Sequence, residues 1–291
     1  MRQEMIILTK AFRERHRKNR MKTVPKKKTD LHTFVVCAYQ NSPYLRDCIR
    51  SLKKQTVRSR ILITTSTPND DIKKTAEEFC LQVRVNRGQS GLAGDWNFAL
   101  SQAETPLVTL AHQDDLYLPE YTQRLVRAFR KNQDAIILFT DYEEIRSNGT
   151  DDQLLSTSAL LRAKRLMLLP VRVPGLQNQR LVKRSVISLG NAICCPSVTY
   201  VISRTGTELF VGNMKSNVDW QAWETLSDRK GSFVYMPQKL MCHRIHNAST
   251  TAGLINDHAR REEDLYMFRK FWPGKLPELI WKLYGKNEEY Q

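Results

Sequence analysis

Between residues 33 and 139 short apolar runs alternate with segments of helical periodicity, and this alternation constrains the fold more than any other feature of the chain. The runs 33–39, 60–64, 81–85, 106–111 and 135–139 read as strands. Between the first two, 44–55 carries Leu45, Ile49 and Leu52 at helical spacing, and 71–80, 92–102 and 119–131 read as further helices. Turn formers such as Gln40-Asn41-Ser42-Pro43 and Ser66-Thr67-Pro68-Asn69-Asp70 separate strand from helix. Strands joined through helices cannot be hairpins, so the pattern predicts an α/β fold with a mostly parallel sheet covered on both faces. In such sheets ligands bind beyond the carboxyl ends of the strands, which directs attention to the loops after residues 39, 64 and 111. From about residue 150 the rhythm gives way to a basic, Leu-rich helical stretch over 154–169 and then to longer irregular connections.

With 291 residues the chain can bury one large core or two modest ones. Its six cysteines show no C-x-x-C spacing, so buried thiols are expected rather than disulfides or a Cys-type zinc site. No run of about eighteen apolar residues predicts a spanning helix. Met5-Ile6-Ile7-Leu8 is too short for the apolar region of a secretory signal, and the body of the chain is expected in the cytoplasm. The net charge of +16 is uneven: residues 1–28 carry eleven Lys/Arg against Glu4 and Glu14, a local net of +9. That segment suits an anionic partner or a solvated tail, and the inner face of a membrane is the partner expected. Nucleic acid is disfavoured because no recognised nucleic-acid motif accompanies the charge. Near the other end, Phe268, Phe271, Trp272, Leu276, Leu279, Ile280, Trp281, Leu283 and Tyr284 mix with lysines. They suit either a helix docked on the core or a segment lying on anionic lipid.

The loop after the fourth strand reads His112-Gln113-Asp114-Asp115. Adjacent carboxylates repel unless they share something positive, and a hard divalent cation such as Mn²⁺ or Mg²⁺ prefers their oxygens. The alternative is an N-cap pair for helix 119–131.

Context favours the cation. Phe34-Val35-Val36-Cys37-Ala38-Tyr39-Gln40-Asn41, with Leu45, Ile49, Ser51-Leu52 and Gln55-Thr56, resembles the opening of family 2 glycosyltransferases. The run Arg87 to Ala99 is similar to that family's Gly-rich turn leading into an Asn-bearing helix, and Asp114-Asp115 fall where it keeps its D-x-D-type motif. Val218-Asp219-Trp220-Gln221-Ala222-Trp223 resembles its acidic, Trp-containing helix start, and Cys242 to Thr251 its late Arg-x-His, Ser-Thr segment. The blocks keep the family's order over roughly residues 32–251.

The resemblance implies a GT-A (Rossmann-like) fold: a basic tail over 1–30, a nucleotide-sugar-binding half over 31–145, an acceptor-binding half over 146–255 and a C-terminal helical extension over 256–291. It implies an inverting, hexosyl-type transfer from a nucleotide sugar, UDP by preference, to a glycan or lipid-linked acceptor. By family position Asp115 and His246 are the metal ligands, Asp114 contacts the ribose or the metal through water, and Arg244 meets the diphosphate. Ala38, Tyr39, Asn41, Thr65, Gly91 and Asn97 complete the donor contacts. Asp219 is the general base that takes the acceptor proton; taken alone it also reads as a helix N-cap. His243 is expected to be a packing or surface residue. Asn191 and Ser197 sit on an acceptor-side loop that reads equally as a plain turn. Three positions depart from the family: Thr64 to Asn69 hold no acid to read the uracil imide, His112 stands for the first Asp of the motif, and Val218 for an acid. A catalytically inert scaffold of the same fold is the other reading.

Overall fold

The computed structural model describes residues 27–147, 152–154, 158–246 and 258–288. The basic segment 1–26 and the run 247–257, with the Ser-Thr part of the late motif, lie outside them. Strand β1 (Lys27–Ala38) begins before the expected start at Thr33, pairing Lys27 with Val57 and shifting register before Thr33. Helix α1 (Leu45–Lys53) buries Leu45, Cys48, Ile49 and Leu52 along one face. Strand β2 (Val57–Thr65) leads into α2 (Asp70–Glu78), whose N-cap Asn69 accepts from the Ile72 N–H at 3.0 Å. Then follow β3 (Val83–Val85), α3 (Leu92–Ser101), β4 (Leu107–His112), the two-residue β5 (Leu116–Tyr117) and α4 (Tyr121–Lys131).

The second half comprises β6 (Ala135–Ser147), β7 (Asp152–Leu154), α5 (Ala159–Met167), α6 (Arg180–Ser185), β8 (Val198–Val201), α7 (Ile202–Thr205), α8 (Val218–Ser227) and β9 (Ser232–Ile245). Helices α9 (His258–Arg269) and α10 (Leu276–Glu288) close the described chain.

The nine strands of the described residues join one sheet in the order β3-β2-β1-β4-β8-β6-β9-β5, with β7 on β6. The first four are parallel, as strand–helix alternation requires. Beyond them β8 runs antiparallel to both β4 and β6, and β5 antiparallel to β9. One apolar cluster, built round Trp96, Tyr200, Trp220 and Trp223, covers one face; a second, round Phe34, Leu45, Ile49 and Tyr121, covers the other. Sequence reading missed β8 and β9. In α10 Ile280 and Trp281 pack on the core, as expected of a docked helix, while Leu276, Leu279 and Leu283 face outward. Among the described residues no helix is long and apolar enough to cross a membrane.

Candidate active site

Strand β4 ends at His112, and the turn that follows closes with the Asp115 N–H donating to the His112 carbonyl at 3.2 Å. The chain then enters β5, which pairs Leu116 with Cys242 and Tyr117 with Met241. That ladder excludes the N-cap alternative for the two acids, since a strand and Pro119 separate them from α4. It also brings the end of β9 over the turn. One oxygen of Asp115 accepts from the Arg244 backbone N–H at 2.9 Å and contacts His243 Nδ1 at 3.0 Å. Asp114 Oδ2 lies 3.0 Å from His246 Nε2.

Burial alone would lower His243, but the charge and hydrogen bond of Asp115, helped by Asp114 and Glu144, carry it up to about 9. It is therefore an imidazolium at neutral pH, an ion-pair partner rather than the packing or surface residue expected. Burial pushes Asp114 up, yet the His246 hydrogen bond and the charges of His112, His243 and His246 outweigh it, holding the carboxyl below its ordinary range.

The structure corrects the expectation for Arg244. Its guanidinium is buried, paired with Asp152, donates Nε–H to the Asp114 carbonyl at 3.0 Å and lies 4.4 Å from the Tyr44 ring centre. It props the acidic turn from behind instead of offering charge to a diphosphate.

His112, Asp114 and Asp115 form one cluster whose ligand atoms all lie within 4.8 Å of one another. Asp115 is 0% exposed, and its Oδ2 has no partner among the described residues; the buried Nε2 of His112 has none either. An unpaired buried polar atom costs about 1–3 kcal/mol, and more when charged. Two such atoms in one cluster of carboxylate and imidazole donors fit a divalent cation, which would satisfy both.

Asp219 lies in the first turn of α8, where Asn217 and not Asp219 is the N-cap residue. Its Oδ1 accepts from the Trp220 N–H at 2.8 Å and its Oδ2 from Asn191 Nδ2 at 2.8 Å. Burial raises its pKa, opposed by those two hydrogen bonds and by the charges of His112 and Lys164. The charge of His112 acts on both Asp114 and Asp219. Asn191 earns a role as the holder of Asp219, whereas Ser197 is buried and closes a plain turn by donating to the Cys194 carbonyl at 2.7 Å.

At the carboxyl ends of the parallel strands, Ala38 and Thr65 are neighbours across β1 and β2, both buried. Tyr39 is 52% exposed and Asn41 is exposed at the rim. Gln113 clasps the Tyr39 backbone with both ends of its amide, at 3.1 and 2.9 Å. Gly91 precedes α3 with φ +97°, a conformation suited to glycine. The Asn97 amide is occupied by the backbone of Leu209 and Phe210, so it ties α3 to the second half rather than offering itself to a donor. The loop after β2 contains no acid, but α3 supplies one. Asp95 accepts from Ser66 Oγ at 2.8 Å and from Asn86 Nδ2 at 2.7 Å, at the ends of β2 and β3. Only the fold reveals this, because Ser66 and Asp95 lie 29 residues apart.

A parallel half-sheet with its crevice at the strand ends, joined to a mixed half bearing an acidic turn and a helix carboxylate, defines the GT-A class of glycosyltransferase. The family model for glycosyl transferase family 2 matches residues 33–186, and the chain belongs to that family. No curated protein matches it by sequence. Among solved structures it is similar to residues 1–349 of Staphylococcus aureus TarS in complex with UDP-GlcNAc, at 15% identity and TM-score 0.59, covering 82% of this chain and 71% of that one. It is also similar to the Pyrobaculum calidifontis mannosyltransferase PcManGT in complex with GDP-Man and Mn²⁺. There the identity is 11% and the TM-score 0.58, covering 97% of this chain and 76% of that one.

Proposed function

We propose that this glycosyltransferase moves a sugar from a nucleoside-diphosphate donor, UDP by preference, to a hydroxyl of a glycan or lipid-linked acceptor, inverting the anomeric centre. The observation that carries the reading is the acidic turn, where Asp115 Oδ2 and His112 Nε2 are buried without a partner among the described residues, together with the oriented carboxylate of Asp219. Asp219 stands as the base: two fixed N–H donors orient its carboxylate, and burial makes it a better proton acceptor than a solvated Asp. It takes the proton of the acceptor hydroxyl as the oxygen attacks. Asp115 and His246 would hold Mn²⁺ or Mg²⁺, with Asp114 at the ribose; a bound cation supplies Lewis-acid stabilisation to the leaving diphosphate. Arg244 and His243 keep Asp115 pointed into the site.

UDP-GlcNAc and GDP-Man, the donors in the two similar structures, both carry a base with a ring N–H beside a carbonyl. Asp95 is a fixed acceptor for such a group, which supports a uracil or guanine donor over a cytosine one. The outward Leu276, Leu279 and Leu283 beside Lys275 and Lys282 suit a cytoplasmic enzyme resting on the inner face of an anionic membrane, where a lipid-linked acceptor would be met.

A donor-hydrolysis screen over nucleotide sugars, with and without Mn²⁺, tests the reading. Release of nucleoside diphosphate that needs the cation, disappears in Asp115→Ala and falls at least about a hundredfold in Asp219→Asn is expected. Undiminished turnover by Asp219→Asn would remove the base assignment. No turnover, and no binding of any nucleotide sugar, would favour the inert scaffold.

A further inference from the structure

We propose that His112 is itself a ligand to the cation beside Asp115 and His246, so that the donor set gains an imidazole nitrogen and favours transition-metal dications over Mg²⁺. The inference rests on the cation-dependent reading above and adds a ligand that the family position did not supply. Three observations carry it. The Nε2 of His112 is buried with no partner among the described residues, and the only other orphaned atom of the acidic turn is Oδ2 of the fully buried Asp115. The ligand atoms of His112, Asp114 and Asp115 lie within 4.8 Å of one another, so the imidazole stands beside the carboxylates that the cation would use. Finally, the ring cannot easily turn away: it stacks on Trp96, centroids 5.3 Å apart and planes 23° from parallel, and its backbone is fixed in β4 opposite Cys37.

The donor chemistry sets the preference. Mg²⁺ keeps oxygen ligands and its waters, while imidazole nitrogen favours first-row transition ions. The charge agrees as well, since a neutral imidazole adds a ligand without adding a third anion to two neighbouring carboxylates.

The test uses the full chain stripped with EDTA, titrated with Mn²⁺ in the presence of UDP, and examined by electron-spin-echo spectroscopy for ¹⁴N coupling to the bound ion. Wild type is expected to show nitrogen coupling. His246→Gln, which removes the other imidazole at the edge of the cluster, retains a nitrogen coupling, and the His112→Gln/His246→Gln double variant shows none. In His112→Asp the preference for Mn²⁺ over Mg²⁺ falls by about tenfold, read by competition. Mn²⁺ bound to His246→Gln without nitrogen coupling, or coupling that survives in the double variant, overturns the proposal and leaves the transferase reading standing. Failure of wild type to bind Mn²⁺ with UDP overturns both.

Discussion

Asn191 is the most direct handle on the acceptor side of the site. Its side chain donates to Asp219 Oδ2 at 2.8 Å, one of two hydrogen bonds that oppose the upward push of burial on that carboxyl. A hydrogen bond to a charged group is worth about 1.5–3 kcal/mol, and one pH unit corresponds to about 1.4 kcal/mol. Asp219 is only partly shielded from solvent, so the lower end applies: Asn191→Ala should remove about 1.5 kcal/mol of support for the ionised carboxylate and raise its pKa further. A base works only when ionised, so the acid limb of the pH profile of kcat/KM for donor hydrolysis should move to higher pH while the plateau changes little. The stability sign agrees. Because the folded pKa is already raised, stability falls as pH climbs from the ordinary carboxylate value through the folded one, and Asn191 softens that fall. The variant should therefore be less stable than wild type at pH 7, with the gap closing in acid where Asp219 is protonated. An acid limb that stays in place in Asn191→Ala, with Asp219→Asn keeping the same limb, would refute Asp219 as the titrating base.

Asp95→Asn should weaken binding of UDP about tenfold in isothermal titration while leaving CDP nearly unaffected; equal losses for both would mark Asp95 as a scaffold residue only. His32 is fully buried, bonded to Ser59 and Thr109 at 2.8 Å each, and burial lowers its pKa from 6.5 to about 3. Its contribution is whole above pH 6.5 and is lost as pH falls toward 3, so wild type should lose about 2 kcal/mol between pH 7 and 5 in urea melts, a slope missing from His32→Gln. His243 carries the opposite sign: raised to about 9, it stabilises below pH 6.5 and loses that contribution as pH rises through 9. In chelator-treated Asp115→Asn, histidine NMR titration should find His243 back at or below its ordinary value, and a titration still near 9 would show that Asp115 is not its partner.

The legible part of this chain is the part in which sequence neighbours remain structural neighbours. Strands β1, β2 and β4 are apolar runs ended by turn formers, and the acidic turn keeps three candidate ligands within four residues. Strand β9 is hidden for a physical reason: Pro237 interrupts its pattern, and the ladder with β6 absorbs the break by shifting from Thr140↔Met236 to Asp141↔Lys239. Yet β9 determines how the acids behave, since His243, Arg244 and His246 reach them across 128 to 132 residues. Even the two-residue β5 matters, because its pairing with Met241 and Cys242 fixes which backbone N–H meets Asp115. A one-residue slip of β9 would turn alternate side chains to the opposite face and exchange the residues offered to the turn. Asp115 would then face a different N–H and lose its imidazolium, while Asp114 would lose His246. The chemistry read from His112 to Asp115 therefore depends on a strand register that no local pattern announces, and that dependence explains why the acidic turn is legible in the sequence while the contacts of His243 and Arg244 are not.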